Sequence, residues 1–251
     1  MKLSVLMPVY NEKMWLEKIV EKVMQQKVSG IHSLELIIVD DASQDGTTEI
    51  IHALKKKYPS QIQTVFHQEN SGKGAAINTA IRHMTGDVCI IQDADLEYDP
   101  AEYGLILEPI IAGRADCVYG SRFVGTQAKR VLFFWHYIGN RVITLLSNLT
   151  TNLNFTDIET CYKAFRAGII KTIPIRCKDF GLEPEITAKI AKRKCRIFEV
   201  GISYSGRTYE EGKKIKWVDG FRAIYIILKF WIWDDSVKNA GEDLKLSSTK
   251  N

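Results

Sequence analysis

Residues 87–97 read DVCIIQDADLE. An apolar run through Ile90 and Ile91 ends in three acids at alternate positions, Asp93, Asp95 and Glu97. A continuous apolar run is what a strand buried on both faces requires. Carboxylates this close raise one another's pKa and destabilise the fold unless something offsets them. A divalent metal, a basic neighbour and water are the three candidates. DVCIIQDAD (87–95) thus reads as a buried strand, the fourth of the chain, that delivers acids to an edge.

The same pattern recurs outward from it. LSVLMPVY (3–10) is an apolar run that ends in PVYNE, and LELIIVDD (34–41) ends in DDASQDGT. Residues 63–67 form a third strand before NSGKG (70–74), and ADCVYGSRF (115–123) a fifth. Helical periodicity fills 14–26, 45–58 and 74–84. Strand and helix alternate with short connections, the pattern of an open, mainly parallel twisted sheet with helices on both faces. Such sheets bind ligands beyond the carboxyl ends of their strands. The four polar clusters therefore converge on one crevice.

After residue 123 the pattern changes. Residues 130–149 predict a long aromatic-rich helix, followed by a loop at 150–160. Short strands are expected near 161–165 and 196–202, with a helix over 184–193 between them. A basic loop, 203–217, leads into an apolar helix over 218–233, and a polar tail closes the chain. The expectation is one domain over 1–233, with 1–125 for the donor and 126–233 for the acceptor, and a flexible tail over 234–251.

Composition bounds the function. The chain has 251 residues, a net charge of +4, 45% hydrophobic and 25% charged residues, as an ordinary globular protein has. The mild positive charge gives no argument for nucleic acid but admits anionic ligands or an acidic membrane surface. Five scattered cysteines without a CxxC pair suggest reduced thiols. The opening residues read as a strand and not a signal peptide, and no run reaches the ~18 apolar residues of a spanning helix. A cytoplasmic location, with peripheral contact at the inner membrane face, is the expectation. The C-terminal aromatic helix suits a core, a homodimer contact or a headgroup layer. The first turn lacks G-x-G-x-x-G, which argues against a dinucleotide site, and NSGKG lacks Walker spacing.

VYNE, VDDASQDGT, NSGKGAA and DADLEYDP, in this order, resemble family 2 of the nucleotide-sugar glycosyltransferases. YGSRF, TDIETCYKAFR and GRTYEEGKKI are similar to its dolichyl-phosphate mannose synthase and polyprenyl-phosphate glycosyltransferase branch. The resemblance implies a single GT-A-type α/β domain with a C-terminal amphipathic helix, and an inverting hexosyltransferase that uses Mg²⁺ or Mn²⁺. It implies that Pro8, Tyr10 and Glu12 line the nucleotide pocket, that Asp41 bonds the base and that Asp40 shapes its turn. Gly72, Lys73, Asp93 and Ala94 would complete the donor pocket. Asp93, Asp95 and Glu97 would hold the metal, with Glu97 standing where mannose synthases carry Gln. Arg122 and Arg207 would hold phosphates, with Asp95 and Asp157 as the catalytic acids. Lys213 and Lys214 would join Arg207 at the acceptor.

The resemblance implies a GDP- or UDP-hexose donor, mannose or glucose, and a polyprenyl or dolichyl phosphate acceptor. A second reading has a glycan or glycolipid hydroxyl as acceptor, with Asp157 as its base. A third is a nucleotide-sugar-binding subunit without turnover.

Overall fold

A computed structural model describes residues 1–232 apart from 126–127, 132, 180 and 209–216, and apart from the side chains of 217–219. Seven strands form one sheet. In chain order the elements are β1 (Lys2–Val9), α1 (Leu16–Met24), β2 (Ser33–Asp40), α2 (Thr47–Lys57), β3 (Ile62–Phe66), α3 (Lys73–His83), β4 (Val88–Ile91), α4 (Tyr103–Ile111) and β5 (Cys117–Ser121). Then come α5 (Phe134–Thr151), β6 (Lys163–Arg166), α6 (Ala167–Ile170), α7 (Leu182–Lys192), β7 (Ile197–Gly201) and α8 (Trp217–Ile232).

The sheet order is β3-β2-β1-β4-β6-β5-β7. β1 pairs in parallel with β2 and β4, which places Leu6 between Ile37 and Ile91. All three residues are buried, as two helix-covered faces demand. β6 runs antiparallel to both β4 and β5, while β7 is parallel to β5. One strand is therefore reversed among six that share a direction. The reversal has a functional result: the segment before β6 reaches the edge at which the other strands end.

Two departures from the sequence reading have physical causes. α4 goes unread because YGLILEPII is almost wholly apolar and carries Pro109 within the helix, so no polar face marks its period. The helix expected from 130 begins at Phe134, because 128–130 is held elsewhere. Lys129 forms a β-bridge with Tyr204, and the Arg130 amide donates to the Tyr204 carbonyl at 2.8 Å. None of the five cysteines forms a disulfide.

The NSGKG turn is packed against the chain at 177–178. Gly72 has φ of +92°, and a Cβ there would lie 2.4 Å from the Lys178 carbonyl oxygen. A Cβ on Gly74 would meet the Cys177 carbonyl oxygen at 2.2 Å. Backbone must therefore move for any side chain at either glycine. Gly74→Ala should cost about 2 kcal/mol by overpacking, lowering Tm by roughly 4–8 °C. A thermal melt unchanged from wild type would show that this turn is not held as described.

Candidate functional site

The strand ends build the site. Asn11 follows β1 with φ of 52°, and its side-chain oxygen accepts from the Gln44 amide at 2.8 Å. The Glu12 amide donates to the Thr47 hydroxyl at 3.0 Å. Asp40 accepts from the Ser43 amide at 3.1 Å and the Thr48 hydroxyl at 2.7 Å. Thus PVYNE and DDASQDGT are stitched into one rim. Asp41 binds the next turn: its carboxylate accepts from the amides of Ser71 at 2.9 Å and Gly72 at 2.7 Å, and lies 2.7 Å from His67 Nδ1. Asp41 therefore organises the glycine turn, and Gly72 answers first to that packing. His67 is its half-buried partner. Tyr10 is exposed on the rim, Pro8 is half-buried, and the Ala94 side chain is buried in the core.

The three acids of the opening stretch separate. β4 ends at Ile91, so the chain turns instead of continuing as a strand. Asp93 meets Lys73 at 3.0 Å, and Lys73 also reaches Glu183 on α7 at 3.3 Å. Burial raises the Asp93 carboxyl, but the Lys73 ammonium outweighs it and holds the group below the usual carboxylate range. Asp95 and Glu97 instead join Glu12 around Arg207. Its guanidinium lies 2.6 Å from Asp95, 3.2 Å from Glu97 and 3.4 Å from Glu12. Burial, then Asp93 and Glu97, push the Asp95 carboxyl up to about 8, with Arg207 opposing them. Basic neighbours, Lys73 for Asp93 and Arg207 for Asp95 and Glu97, offset these acids here.

A second centre lies on the other side of Tyr204. Arg122, just after β5, grips Asp157 at both oxygens: Nε to Oδ2 is 2.6 Å and Nη2 to Oδ1 is 2.8 Å. The Arg122 amide adds a third bond at 3.2 Å. Asp157 is fully buried. Burial would raise its carboxyl, but the Arg122 charge prevails and holds it below its ordinary value. The loop is fixed from behind. Glu199 on β7 accepts from the amides of Thr156 and Asp157, and the buried Lys163 ammonium donates to the carbonyls of Ile158 and Thr160. The Tyr204 hydroxyl donates to Glu97 at 3.0 Å, and the Arg122 guanidinium sits 5.2 Å over its ring. Tyr204 thereby joins the two centres.

The clusters read from sequence onto one crevice bring Glu12, Lys73, Asp93, Asp95 and Glu97 together at the strand ends; the structure sets Arg207 among three of these acids and Arg122 with Asp157 beside them, joined through Tyr204. Lys213 and Lys214 lie outside the described residues. Sequence reasoning missed Glu183, Glu199, Tyr204 and Glu159. The Glu159 carboxyl, pushed up to about 8 by burial and then by Glu183, has a buried oxygen without a hydrogen-bond partner. Its position two residues after Asp157 was the available signal.

A model of one protein family, described as Glycosyl transferase family 2, matches residues 4–173. The chain belongs to this family. The match runs from β1 past β6 and covers Asp157, while Glu183 and Arg207 lie beyond it. A curated relative from Salmonella choleraesuis (strain SC-B67), an undecaprenyl-phosphate 4-deoxy-4-formamido-L-arabinose transferase, is 29% identical over 84% of this chain and 62% of its own length. Its counterpart from Salmonella paratyphi B (strain ATCC BAA-1250 / SPB7) is likewise 29% identical over the same shares. The chain thus spans about three fifths of these relatives. Among solved structures, glucosyl-3-phosphoglycerate synthase from Mycobacterium tuberculosis with Mn²⁺, UDP and glucosyl-3-phosphoglycerate aligns with a TM-score of 0.68 at 18% identity, over 94% of this chain and 81% of that one. The same synthase with Mg²⁺ and UDP aligns at 0.64, with 19% identity over 94% and 81%. The family-2 chain has the GT-A fold.

A divalent cation fits the chemistry of Glu12, Asp95 and Glu97, which offer hard carboxylate oxygens. Among the described residues, no group of three acids, histidines or cysteines is placed to hold an ion alone. Mg²⁺ is commonly held by one or two carboxylates with substrate phosphates completing its shell.

Proposed function

We propose that this family-2 chain transfers a hexose from a nucleoside-diphosphate sugar to a polyprenyl phosphate, with Mg²⁺ or Mn²⁺ at Asp95 and Glu97. The observation that carries the acceptor is the Arg122–Asp157 pair. Both Asp157 oxygens are taken by Arg122, and its proton affinity is lowered. A hydroxyl acceptor needs a base to take its proton. A lipid phosphate is already an anion, so positioning and charge neutralisation suffice. Asp157 then works by fixing Arg122, whose largely buried guanidinium lies over the Tyr204 ring and would serve as a phosphate-binding group. Glu12 and the Asp41-ordered turn shape the nucleotide side. The bound cation would neutralise the diphosphate leaving group. The curated relatives, named for undecaprenyl phosphate, support the acceptor, and the neighbours solved with UDP and Mn²⁺ support the donor.

A peripheral membrane contact accompanies this reading. α5 and α8 pack together and leave Phe134, Trp135, Leu149, Phe221, Tyr225 and Trp231 exposed. Aromatic and aliphatic groups of this kind suit a headgroup layer. Among the described residues no helix is long and apolar enough to cross a membrane.

The test is calorimetric titration with UDP, GDP and their hexose conjugates, with and without Mn²⁺, followed by transfer assays. One nucleotide should bind with a metal requirement, and its hexose should pass to polyprenyl phosphate and not to a glycan hydroxyl. Transfer to the hydroxyl alone would replace the acceptor reading. Absence of any nucleotide binding would end the transferase reading.

A further inference from the structure

Arg207 does more here than wait for a phosphate. Its three guanidinium nitrogens each face a different carboxylate, Asp95 at 2.6 Å, Glu97 at 3.2 Å and Glu12 at 3.4 Å. Its amide also donates to Glu97 at 2.9 Å. These acids come from the ends of two strands, β1 and β4, and each would repel the others without a cation between them. The segment carrying Arg207 is itself fastened. The Ser205 amide donates to the Glu97 carbonyl at 3.0 Å, and Arg130 donates to the Gly206 carbonyl at 3.1 Å. Arg207 is thus seated deliberately in the acid cluster, at the end of a strap formed by residues 202–207.

The carboxylate oxygens that hold the guanidinium are those a divalent cation would need. A metal ion lies about 2.0–2.6 Å from its oxygen ligands. An ion on the Asp95 oxygen that already accepts from Arg207 would stand beside a positive guanidinium in a partly buried site. At an effective dielectric near 20 the two cations would repel, and they would compete for the same carboxylate oxygens. A nucleoside diphosphate changes that balance, because its phosphate oxygens give a guanidinium a bidentate partner outside the carboxylates.

We propose that Arg207 is a latch: it fills the divalent-cation seat in the ligand-free protein and yields it only when metal and nucleoside diphosphate arrive together. This rests on the metal-dependent donor reading above. Metal alone then binds weakly, metal and nucleotide bind cooperatively, and donor arrival releases the strap of residues 202–207 from Glu97. The cleft is kept from taking up metal without substrate, and the acceptor side is reshaped only on a loaded donor site.

The experiment follows free Mn²⁺ by its electron paramagnetic resonance signal during titration of wild type, Arg207→Gln, Arg207→Lys and Lys129→Gln, each with and without UDP. Lys129 is an exposed cation bridged through its backbone to Tyr204, and its substitution reports a general change of field. Without UDP, Arg207→Gln should bind Mn²⁺ on the order of tenfold more tightly than wild type, Arg207→Lys should fall between, and Lys129→Gln should match wild type. UDP should strengthen Mn²⁺ binding more in wild type than in Arg207→Gln. Equal Mn²⁺ affinity in wild type and Arg207→Gln without UDP overturns the latch, as does an equal gain in Lys129→Gln. If Arg207→Gln does not fold, an Arg207→Lys affinity equal to wild type does the same. Mn²⁺ bound by none of the four, even with UDP, sinks the metal-dependent reading itself.

Discussion

Asp95→Asn should lower sugar transfer by roughly three orders of magnitude while leaving the fold intact. A cation that stabilises the departing diphosphate is worth several kcal/mol of barrier, and each 1.4 kcal/mol is tenfold in rate. Asparagine keeps the shape and one oxygen but removes the charge. Stability should move the other way as pH rises. The Asp95 carboxyl is pushed up from 3.8 to about 8 by burial and by its acidic neighbours. Between those values the folded chain holds a proton that the unfolded chain has released. Unfolding therefore grows easier as pH climbs through that window. Asparagine has no such dependence. Melting curves from pH 5 to pH 8 should show the variant gaining on wild type, with Arg207 still bound to Glu97 and Glu12. Parallel loss of activity and of melting temperature at every pH would make Asp95 a structural residue and nothing more.

How far the sequence reached depends on which forces are local. Buried strands announce themselves as apolar runs, and the polar clusters that follow them were correctly assigned to one edge. LSVLMPVY and LELIIVDD became β1 and β2 within a residue of expectation, whereas the strand expected over DVCIIQDAD stops at Ile91, four residues early. α4 has no polar face and so left no period to read. The reversal of β6 is also invisible locally, since KAFR carries no mark of direction. Yet that reversal brings TDIET to the strand-end edge and lets Asp157 meet Arg122. The acids at 93, 95 and 97 were identified as a group needing positive charge. Which charge answers which acid depended on Lys73, at the start of α3, and Arg207, after β7. Alternate spacing suggests one shared face only if the chain stays extended, and it turns after Ile91. Tyr204, Glu183 and Glu199 act through contacts 42 to 110 residues away along the chain, where no spacing rule applies.

Asp157→Ala should be among the most destabilising single changes in the molecule, at about 3–5 kcal/mol, because it leaves the Arg122 charge buried without its partner. The cost belongs to the abandoned guanidinium more than to the pair's net worth. Arg122→Met in the same background should therefore restore part of the loss, which a double-mutant cycle would read directly. The pH dependence has a definite sign. Asp157 is held below its ordinary carboxyl value, so the folded chain binds its proton less readily than the unfolded one. The stability it contributes is present above the unfolded value near 4 and is lost as pH falls through the lower folded value. The gap in unfolding free energy between wild type and Asp157→Asn should be widest at neutral pH and shrink below about pH 4. Catalysis separates the two roles of this acid. As a positioning residue for Arg122, Asp157→Asn should raise the KM for the lipid phosphate more than it lowers donor binding, and the pH–rate profile should keep its shape. As a general base, it would control the acidic limb of that profile, and asparagine would abolish the limb together with turnover. The bidentate grip of Arg122, closed on both oxygens and backed by Glu199 and Lys163, favours the first outcome: a carboxylate with no free oxygen and a lowered proton affinity is built to hold a guanidinium still.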